Sequence, residues 1–417
     1  MHSAFRARNP RRVWVFLAVF LFVGGAARAD ECGKMEVWDA GMAMCMPRPM
    51  EGMPMRMLML RGHAFGVYAT GSGPRGRDAF AAPNMVMADL GTSVGANHYL
   101  NLDLMATAEK WTFPSRGYPE LLQIGEEDAS GAPFIDAQHP HSSPIMGLTL
   151  SDTIAFARED ATLKLSFAPR GESVDGPIAF MHRVTGGVNP DAPLGHHLGQ
   201  DAGHISSTVI AASLALGPNR IEASTFHGAE PHPTEVDLPL GTPDSYALRL
   251  AREFEPGLTG MVSAAYVKNP EHDDPATPFV ARYSASLYSK HSFIDWTLDN
   301  TLIFGMITKY DGIPTLYSAA EEFLFRDAGP NAIFGRIEFI QRSAAELGIS
   351  GANEPRGVFA ATAGYLRSLA KSESFDLGLG GAVTHDFLPA EFRGTYDGDP
   401  WAARAFLRLS GSRMWDL

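Results

Sequence analysis

The feature that most constrains this chain is a two-residue alternation of apolar and polar side chains, which recurs from about residue 57 to the end. In HYLNLDLMA, Leu100, Leu102 and Leu104 fall on one face, and Asn101 and Asp103 fall on the other. Successive side chains of a β-strand point to opposite sides of the sheet, so this pattern predicts strands with one apolar and one polar face.

About 16 such segments follow one another along the chain. They lie near residues 57–69, 83–93, 97–107, 144–154, 161–168, 204–215, 218–228, 244–254, 259–268, 278–289, 292–304, 314–325, 331–341, 357–369, 374–384 and 400–409. An even number of strands suits a barrel that spans the bacterial outer membrane. Strands in lipid must also close on themselves, because every backbone polar group there needs a protein partner.

The connections between these segments alternate in length. The short ones are 217–219, 255–257, 288–291 and 370–374. The long ones are 108–143, 169–203, 229–243, 342–356 and 385–399. Short periplasmic turns and long extracellular loops are typical of an outer-membrane barrel, whereas a soluble β-sandwich has no reason to keep this asymmetry. The sequence therefore predicts a closed antiparallel transmembrane β-barrel of 16 strands, with 14 as the alternative.

Aromatic residues near the strand ends are typical of the girdles at the two membrane interfaces, although ordinary strand packing is the alternative for each of them. They are Tyr99, Tyr246, Trp296, Tyr365 and Trp401.

The charge and hydropathy of the chain exclude other classes. The net charge of −13 argues against nucleic acid as a partner, because phosphate binding needs clustered Lys and Arg. After the N-terminus, no apolar run approaches the roughly 20 residues that a membrane-spanning helix requires.

The N-terminus carries four arginines, then the apolar run VWVFLAVFLFVGG, then ARA before Asp30. This order predicts a secretory signal peptide over residues 1–29, with an uncleaved anchor as the alternative. The predicted organisation is then a signal peptide, a Met-rich periplasmic or plug segment over 30–56, and an outer-membrane barrel over 57–417.

The segment MAMCMPRPMEGMPM is rich in thioethers, which favour Cu(I) over hard cations. Its prolines argue against a packed core of its own, so the alternative of Met as a flexible gap-filler does not suit it. The predicted soft-metal ligands are Met42, Met44, Met46, Met50, Met53 and Met55. Cys32 and Cys45 are either two further soft ligands or a disulfide, since the compartment beyond the inner membrane is oxidising.

Histidines concentrate in one part of the chain: eight of the 14 lie between His139 and His232. Most of these fall in long connections or at strand ends, so we expect them at the outer mouth of the barrel. Imidazole rings with a carboxylate such as Asp201 nearby suit Cu²⁺ or Zn²⁺, whereas structural hydrogen bonding is the alternative for any single ring. The candidate ligands are His139, His141, His182, His196, His197 and His204.

Five stretches together resemble a family of proteobacterial outer-membrane proteins that have Met/His-rich N-termini and are associated with copper resistance. They are YPELLQIGE, PFIDAQHPH, AFMHR, NPDAPLGHH and QDAGHIS. The resemblance covers most of residues 57–417 and is densest over 117–246. It implies copper as the metal, with the six histidines above in the family's His-rich motifs. Ser142 and Leu198 depart from the family's acid and aromatic positions, and the N-terminus is richer in Met than in His. These departures leave the coordination set open and favour Cu(I).

The predicted function is therefore binding or transport of copper at the outer membrane, with membrane lipid and periplasmic copper-handling proteins as partners. The main alternative is a general diffusion porin in which Met and His are incidental. A hydrolase is a further alternative, since GHISS places His204, Ser206 and Ser207 together. However, adjacent side chains on one strand do not make a nucleophile–base pair, so we expect no enzyme activity.

Overall fold

A computed structural model describes residues 36–39, 44–47, 56–128, 130–156, 161–201, 203–231, 233–270, 277–309, 314–351 and 353–417. The strands are β1 (Glu36–Asp39), β2 (Met44–Pro47), β3 (Arg56–Gly71), β4 (Ala79–Ala81), β5 (Asn84–Val94), β6 (His98–Ala106), β7 (Tyr118–Glu127), β8 (Pro133–Gln138), β9 (Ile145–Ala155), β10 (Ala161–Gly171), β11 (Ser206–Leu216), β12 (Asn219–His227), β13 (Ser245–Glu255), β14 (Leu258–Lys268), β15 (Phe279–Ser292), β16 (Trp296–Lys309), β17 (Leu316–Asp327), β18 (Asn331–Arg342), β19 (Arg356–Lys371), β20 (Phe375–Phe387) and β21 (Trp401–Asp416). The helices are α1 (Glu109–Thr112) and α2 (Ala390–Tyr396), with single helical turns at Phe180–His182 and His196–Gln200.

The strands from β3 onward, apart from β7 and β8, form one closed antiparallel barrel. The seam joins β21 to β3, from Asp416 opposite Met57 to Ala402 opposite Gly71. β4 and β5 lie one after the other along β3 and together occupy a single strand position. The barrel therefore has 16 strand positions, which confirms the predicted fold. β1 and β2 form a separate antiparallel pair.

Short turns and long loops alternate around the whole barrel, with both chain ends of the barrel, Arg56 and Asp416, at the short-turn end. One predicted turn was misplaced: β15 continues through residues 288–291 to Ser292, and the turn is at 293–295. This turn contains neither Gly nor Pro. It is closed instead by a hydrogen bond from the Phe293 N–H to the Trp296 carbonyl and by stacking of the two rings at 3.6 Å.

The outer face of the barrel is apolar, as the alternation predicts. Leu100 and Leu102 on β6 are about two-fifths exposed, and Leu407 and Leu409 on β21 are half exposed. Polar side chains of the wall face inward: Arg404 on β21 and Asp299 on β16, for example, are buried. A closed barrel whose outer surface is apolar and whose inner surface is charged suits a bilayer on the outside.

Three of the five predicted girdle aromatics, Tyr246, Tyr365 and Trp401, are exposed on this outer face. Tyr99 is not, because its side chain is buried and packs with Met57 and Met59 inside the barrel. The alternation explains the difference: Leu100 faces outward, so its neighbour must face inward.

Two long loops fold into the lumen. The first, residues 107–144, contains α1 and the β7–β8 hairpin, and the second, residues 172–205, joins β10 to β11. Arg183 in the second loop forms a bidentate ion pair with Glu322 on β17, at 2.8 and 3.0 Å. Arg336 on β18 donates hydrogen bonds to the carbonyls of Asp191 and Ala192. Such contacts fix the loops to the inner wall.

Within the described residues, none of the helices has the length and apolar character needed to cross a membrane.

Candidate metal centre

Five of the six predicted histidine ligands come together inside the barrel. His196, His197 and His204 lie on the second long loop, and His139 and His141 follow β8 on either side of Pro140. The ring centroids of His196 lie 4.5 Å from His197 and 4.6 Å from His204. His139 lies 5.3 Å from His197, and His141 lies 5.3 Å from His204. The rings thus form one continuous group, called the imidazole cluster below.

The cluster lies within the outer part of the lumen, deeper than the outer mouth of the barrel, where the sequence analysis predicted it. The carbonyl of Leu198 accepts a hydrogen bond from Ser318, which is near the outer end of β17. Gly199 has a positive φ of 78° and approaches the backbone of Gly305 on β16. The small residue at this position allows the loop to lie directly against the wall.

Hydrogen bonds fix the tautomers of two rings. Nδ1 of His204 lies 2.8 Å from the carbonyl oxygen of Asp201, which can only accept, so this nitrogen carries the proton. Nδ1 of His141 lies 2.7 Å from a carboxylate oxygen of Glu109 and donates to it. In the neutral rings both Nε2 atoms therefore carry a lone pair. These two atoms face each other at 3.0 Å.

Two lone pairs at this distance repel unless a proton or another cation lies between them. Burial makes the proton unfavourable: it lowers the pKa of His204 to about 4, although Asp201 acts in the opposite sense. Burial and the neighbouring rings also hold the pKa values of His139 and His197 well below the usual range. The lowered pKa values favour the neutral form of His139, His197 and His204, which is the form that a metal requires of imidazole.

A carboxylate completes the donor set. Donor atoms of His196, Asp201 and His204 all lie within 4.8 Å of one another, and the three residues are buried. Although burial alone would raise it, the pKa of Asp201 is lowered by His204 and His196. Nδ1 of His139 is also buried, and no hydrogen-bond partner for it occurs among the described residues. Several donors therefore converge on one region, as a metal site needs.

His182 is separate from the cluster. Its Nε2 atom lies 2.6 Å from a carboxylate oxygen of Glu172. Burial acts to lower the pKa of His182, but Glu172 outweighs it and raises the value overall. Since the raised pKa favours the protonated ring, which has no lone pair to offer a metal, the structural alternative suits His182 better than a ligand role.

Most of the predicted N-terminal ligands lie outside the part of the chain that the structure describes. Cys32, Met42, Met50, Met53 and Met55 lie outside the described residues, as do the predicted signal peptide and His232. The backbone of Met44, Cys45 and Met46 belongs to β2. Sequence reasoning missed Glu109, which orients His141; it lies 32 residues before that ring, and no local pattern signals the pairing.

A cavity of about 40 Å³, partly open to solvent, adjoins the cluster. Its lining includes His139, His141, His197 and His204, together with the charged residues Glu126, Arg170 and Glu230.

No protein-family model and no curated protein matches the sequence. Among solved structures, the chain is similar to OmpF of Salmonella typhi, in a complex with daunomycin. The TM-score is 0.53 at 10% identity, covering 91% of this chain and 100% of the other. The chain is an outer-membrane β-barrel with a porin-like fold.

Two further barrels match more weakly. A loop L8 deletion mutant of OmpT, an outer membrane protein of Vibrio cholerae, has a TM-score of 0.49 at 7% identity, covering 85% of this chain and 99% of the other. OccK1 of Pseudomonas aeruginosa has a TM-score of 0.39 at 10% identity, covering 86% and 99%.

Proposed function

We propose that this outer-membrane barrel binds copper at the imidazole cluster and takes part in its transport or retention. The observation that carries the proposal is the pair of Nε2 lone pairs of His141 and His204, which face each other at 3.0 Å with both opposite nitrogens committed as donors. Imidazole nitrogens bind transition metals at about 2.0–2.1 Å, so two nitrogens at this separation can share one ion. The resemblance to copper-resistance proteins favours copper among the metals that imidazole accepts.

A general diffusion porin is the second candidate, and the porin-like fold favours it. The contents of the lumen favour copper binding instead. Porins of this strand number enclose an aqueous channel, whereas here two long loops lie in the lumen. Buried ion pairs tie the second loop to the wall, and Arg404 donates a hydrogen bond to the carbonyl of Pro119 in the first. A hydrolase is not favoured by His204, because its two ring nitrogens face Asp201 and His141 rather than a serine hydroxyl.

The test uses the full-length barrel in detergent, titrated with Cu(II) and followed by electron paramagnetic resonance. We expect nitrogen hyperfine splitting from at least two imidazoles, and we expect it to disappear in His141→Gln and His204→Gln. His98→Gln is the matched control, because His98 also pairs with a carboxylate, Asp152, but is exposed. A nitrogen signal that survives both cluster substitutions would refute the proposal.

Conductance separates the two candidate functions. Single-channel recording of the wild-type protein should show little open conductance for simple salts. A large, constantly open conductance that copper does not alter would favour the general porin.

A further inference from the structure

A second group of potential metal ligands lines the inner wall next to the imidazole cluster. The side chains of Met85, Met87, Met105, Met146 and Met181 form one contiguous buried group, with exposures between 2% and 9%. Four of them come from β5, β6 and β9, and Met181 comes from the loop that carries the histidines.

The position of these methionines is specific to the inner face. On β5, Met85 and Met87 are buried, whereas Val86 and Leu90 on the same strand are about half exposed to the lipid side. In the barrel register Met87 lies directly opposite Met105 on β6, and Met85 lies opposite His63 on β3. Thioethers thus occur where the wall faces the loop, and aliphatic side chains occur where it faces lipid.

Three of these side chains also line a small cavity. This chamber, of about 20 Å³, is lined by Met85, Met146 and Met181, together with the rings of His63 and His141. His141 also lines the cavity beside the imidazole cluster. One ring, whose Nε2 atom faces His204 at 3.0 Å, therefore lies between the two cavities.

We propose that this methionine-lined chamber is a second binding site, specific for a soft monovalent cation such as Cu(I), adjacent to the imidazole cluster. Thioether sulfur is a soft ligand that selects Cu(I) over Zn²⁺, Mg²⁺ and Ca²⁺. Thioethers carry no proton to lose, so the site keeps its ligands at any physiological pH. Met also adjusts its three side-chain torsions readily, which lets several sulfurs turn toward one ion.

The arrangement allows an ion to pass between the two sites. Imidazole and thioether both bind Cu(I), so an ion moves from His204 through His141 to Met146 without a change of oxidation state. No reductant and no proton transfer is required. The inference rests on the proposed function only through the shared His141, and the chamber can bind its cation even if the cluster does not.

The test uses full-length protein in detergent and Ag(I) as a redox-inert soft probe. Met35 and the six methionines from Met42 to Met55 are changed to Leu, and Cys32 and Cys45 to Ser, so that after removal of the predicted signal peptide the remaining sulfur ligands are those of the barrel. Silver content after desalting and X-ray absorption at the silver edge then report the stoichiometry and the ligand type. We expect bound Ag(I) with sulfur in its coordination shell.

In this background, Met85→Leu/Met146→Leu/Met181→Leu should lose the sulfur signal. Met261→Leu/Met306→Leu is the matched control, because these methionines lie on β14 and β16, away from the chamber. Met to Leu conserves volume, so the barrel should still fold. If the triple variant does not fold, the single variant Met181→Leu, on the loop, should by itself reduce the sulfur signal. Sulfur coordination that is absent in the background protein, or unchanged in both chamber variants, overturns the inference.

The two proposals fail separately. Nitrogen splitting with Cu(II) but no sulfur coordination of Ag(I) would support the proposal for the imidazole cluster and refute the proposal for the chamber. Sulfur coordination without nitrogen splitting would do the reverse.

Discussion

Glu322→Gln should weaken the attachment of the second long loop to the barrel wall. Glu322 is 1% exposed and receives two hydrogen bonds from Arg183, which is also buried, and one from Thr185. The substitution keeps the shape of the side chain but leaves the guanidinium of Arg183 buried without its counter-charge. Arg183 also donates to the carbonyl of Ile178, so the segment around Ile178 loses one of the attachments that hold the loop to the wall.

The expected effect is large because both groups are desolvated. Removing one partner of a buried ion pair costs about 3–5 kcal/mol. At about 1.4 kcal/mol for each factor of ten, this changes the ratio of docked to released loop by roughly 100- to several-thousand-fold. A loss of this size should let the loop leave the wall, and so expose the lumen to solvent, for a measurable fraction of the time.

The assay is single-channel recording in planar bilayers, combined with limited proteolysis of the loop. Glu322→Gln should show transient openings and faster cleavage, whereas Arg183→Met/Glu322→Leu removes both charges and should behave almost like wild type. Glu391→Gln breaks the exposed pair with Arg356 and serves as the surface control. If Glu322→Gln is as closed and as protease-resistant as wild type, the ion pair does not hold the loop.

Three further predictions concern packing, pH and the N-terminal segment. Gly364→Ala on β19 should lower the melting temperature, because a Cβ there would overlap the ring of Phe334, and overpacking of this kind typically costs about 1–3 kcal/mol. Gly66→Ala is the control, because nothing lies within 4 Å of a Cβ at that position. Equal melting temperatures for the two variants would contradict this account. In metal-free protein, the pKa of His204 falls from 6.5 to about 4 on folding, so the unfolded chain takes up the proton first and stability should decline as the pH falls from 6.5 to about 4. Melting in the presence of a chelator should show this decline, and His204→Gln should make it shallower, while His139 and His197, whose pKa values are also lowered, still contribute to it. Changing all six N-terminal methionines to Leu should reduce the Cu(I) equivalents bound by the full-length protein, whereas a single change should cost little; an unchanged stoichiometry in the sixfold variant would argue against thioether binding there.

The barrel wall could be predicted from the sequence because each strand is constrained locally. Lipid on one side and the lumen on the other impose the alternation, and all 16 predicted segments coincide with strand positions to within a few residues. The inward orientation of Tyr99 was also available from the alternation, given that Leu100 faces outward. The turn at 293–295 was misplaced because it lacks Gly and Pro, on which turn prediction depends.

The interior could be predicted only in part. The clustering of histidines along the chain indicated which residues could bind a metal and which loops carry them. The path of those loops, however, depends on contacts between residues that are distant in sequence. Arg183 and Glu322 are 139 residues apart, and His141 and His204 are 63 residues apart. The inner methionines gave no signal of their own, since Met alternating with apolar residues on a strand looks like ordinary core until the wall is closed around a cavity.

The loop over residues 172–205 is anchored at both ends, since it begins at β10 and ends at β11, two adjacent strands of the wall. Unlike a terminal plug, it stays attached to the barrel at both ends when its ion pairs with the wall break. For the proposed copper transport, we therefore expect passage past the loop to require rearrangement of side chains, one occupied site at a time. Flux should then saturate with copper concentration and be limited by ligand exchange, which is the kinetic behaviour of a carrier rather than of a pore.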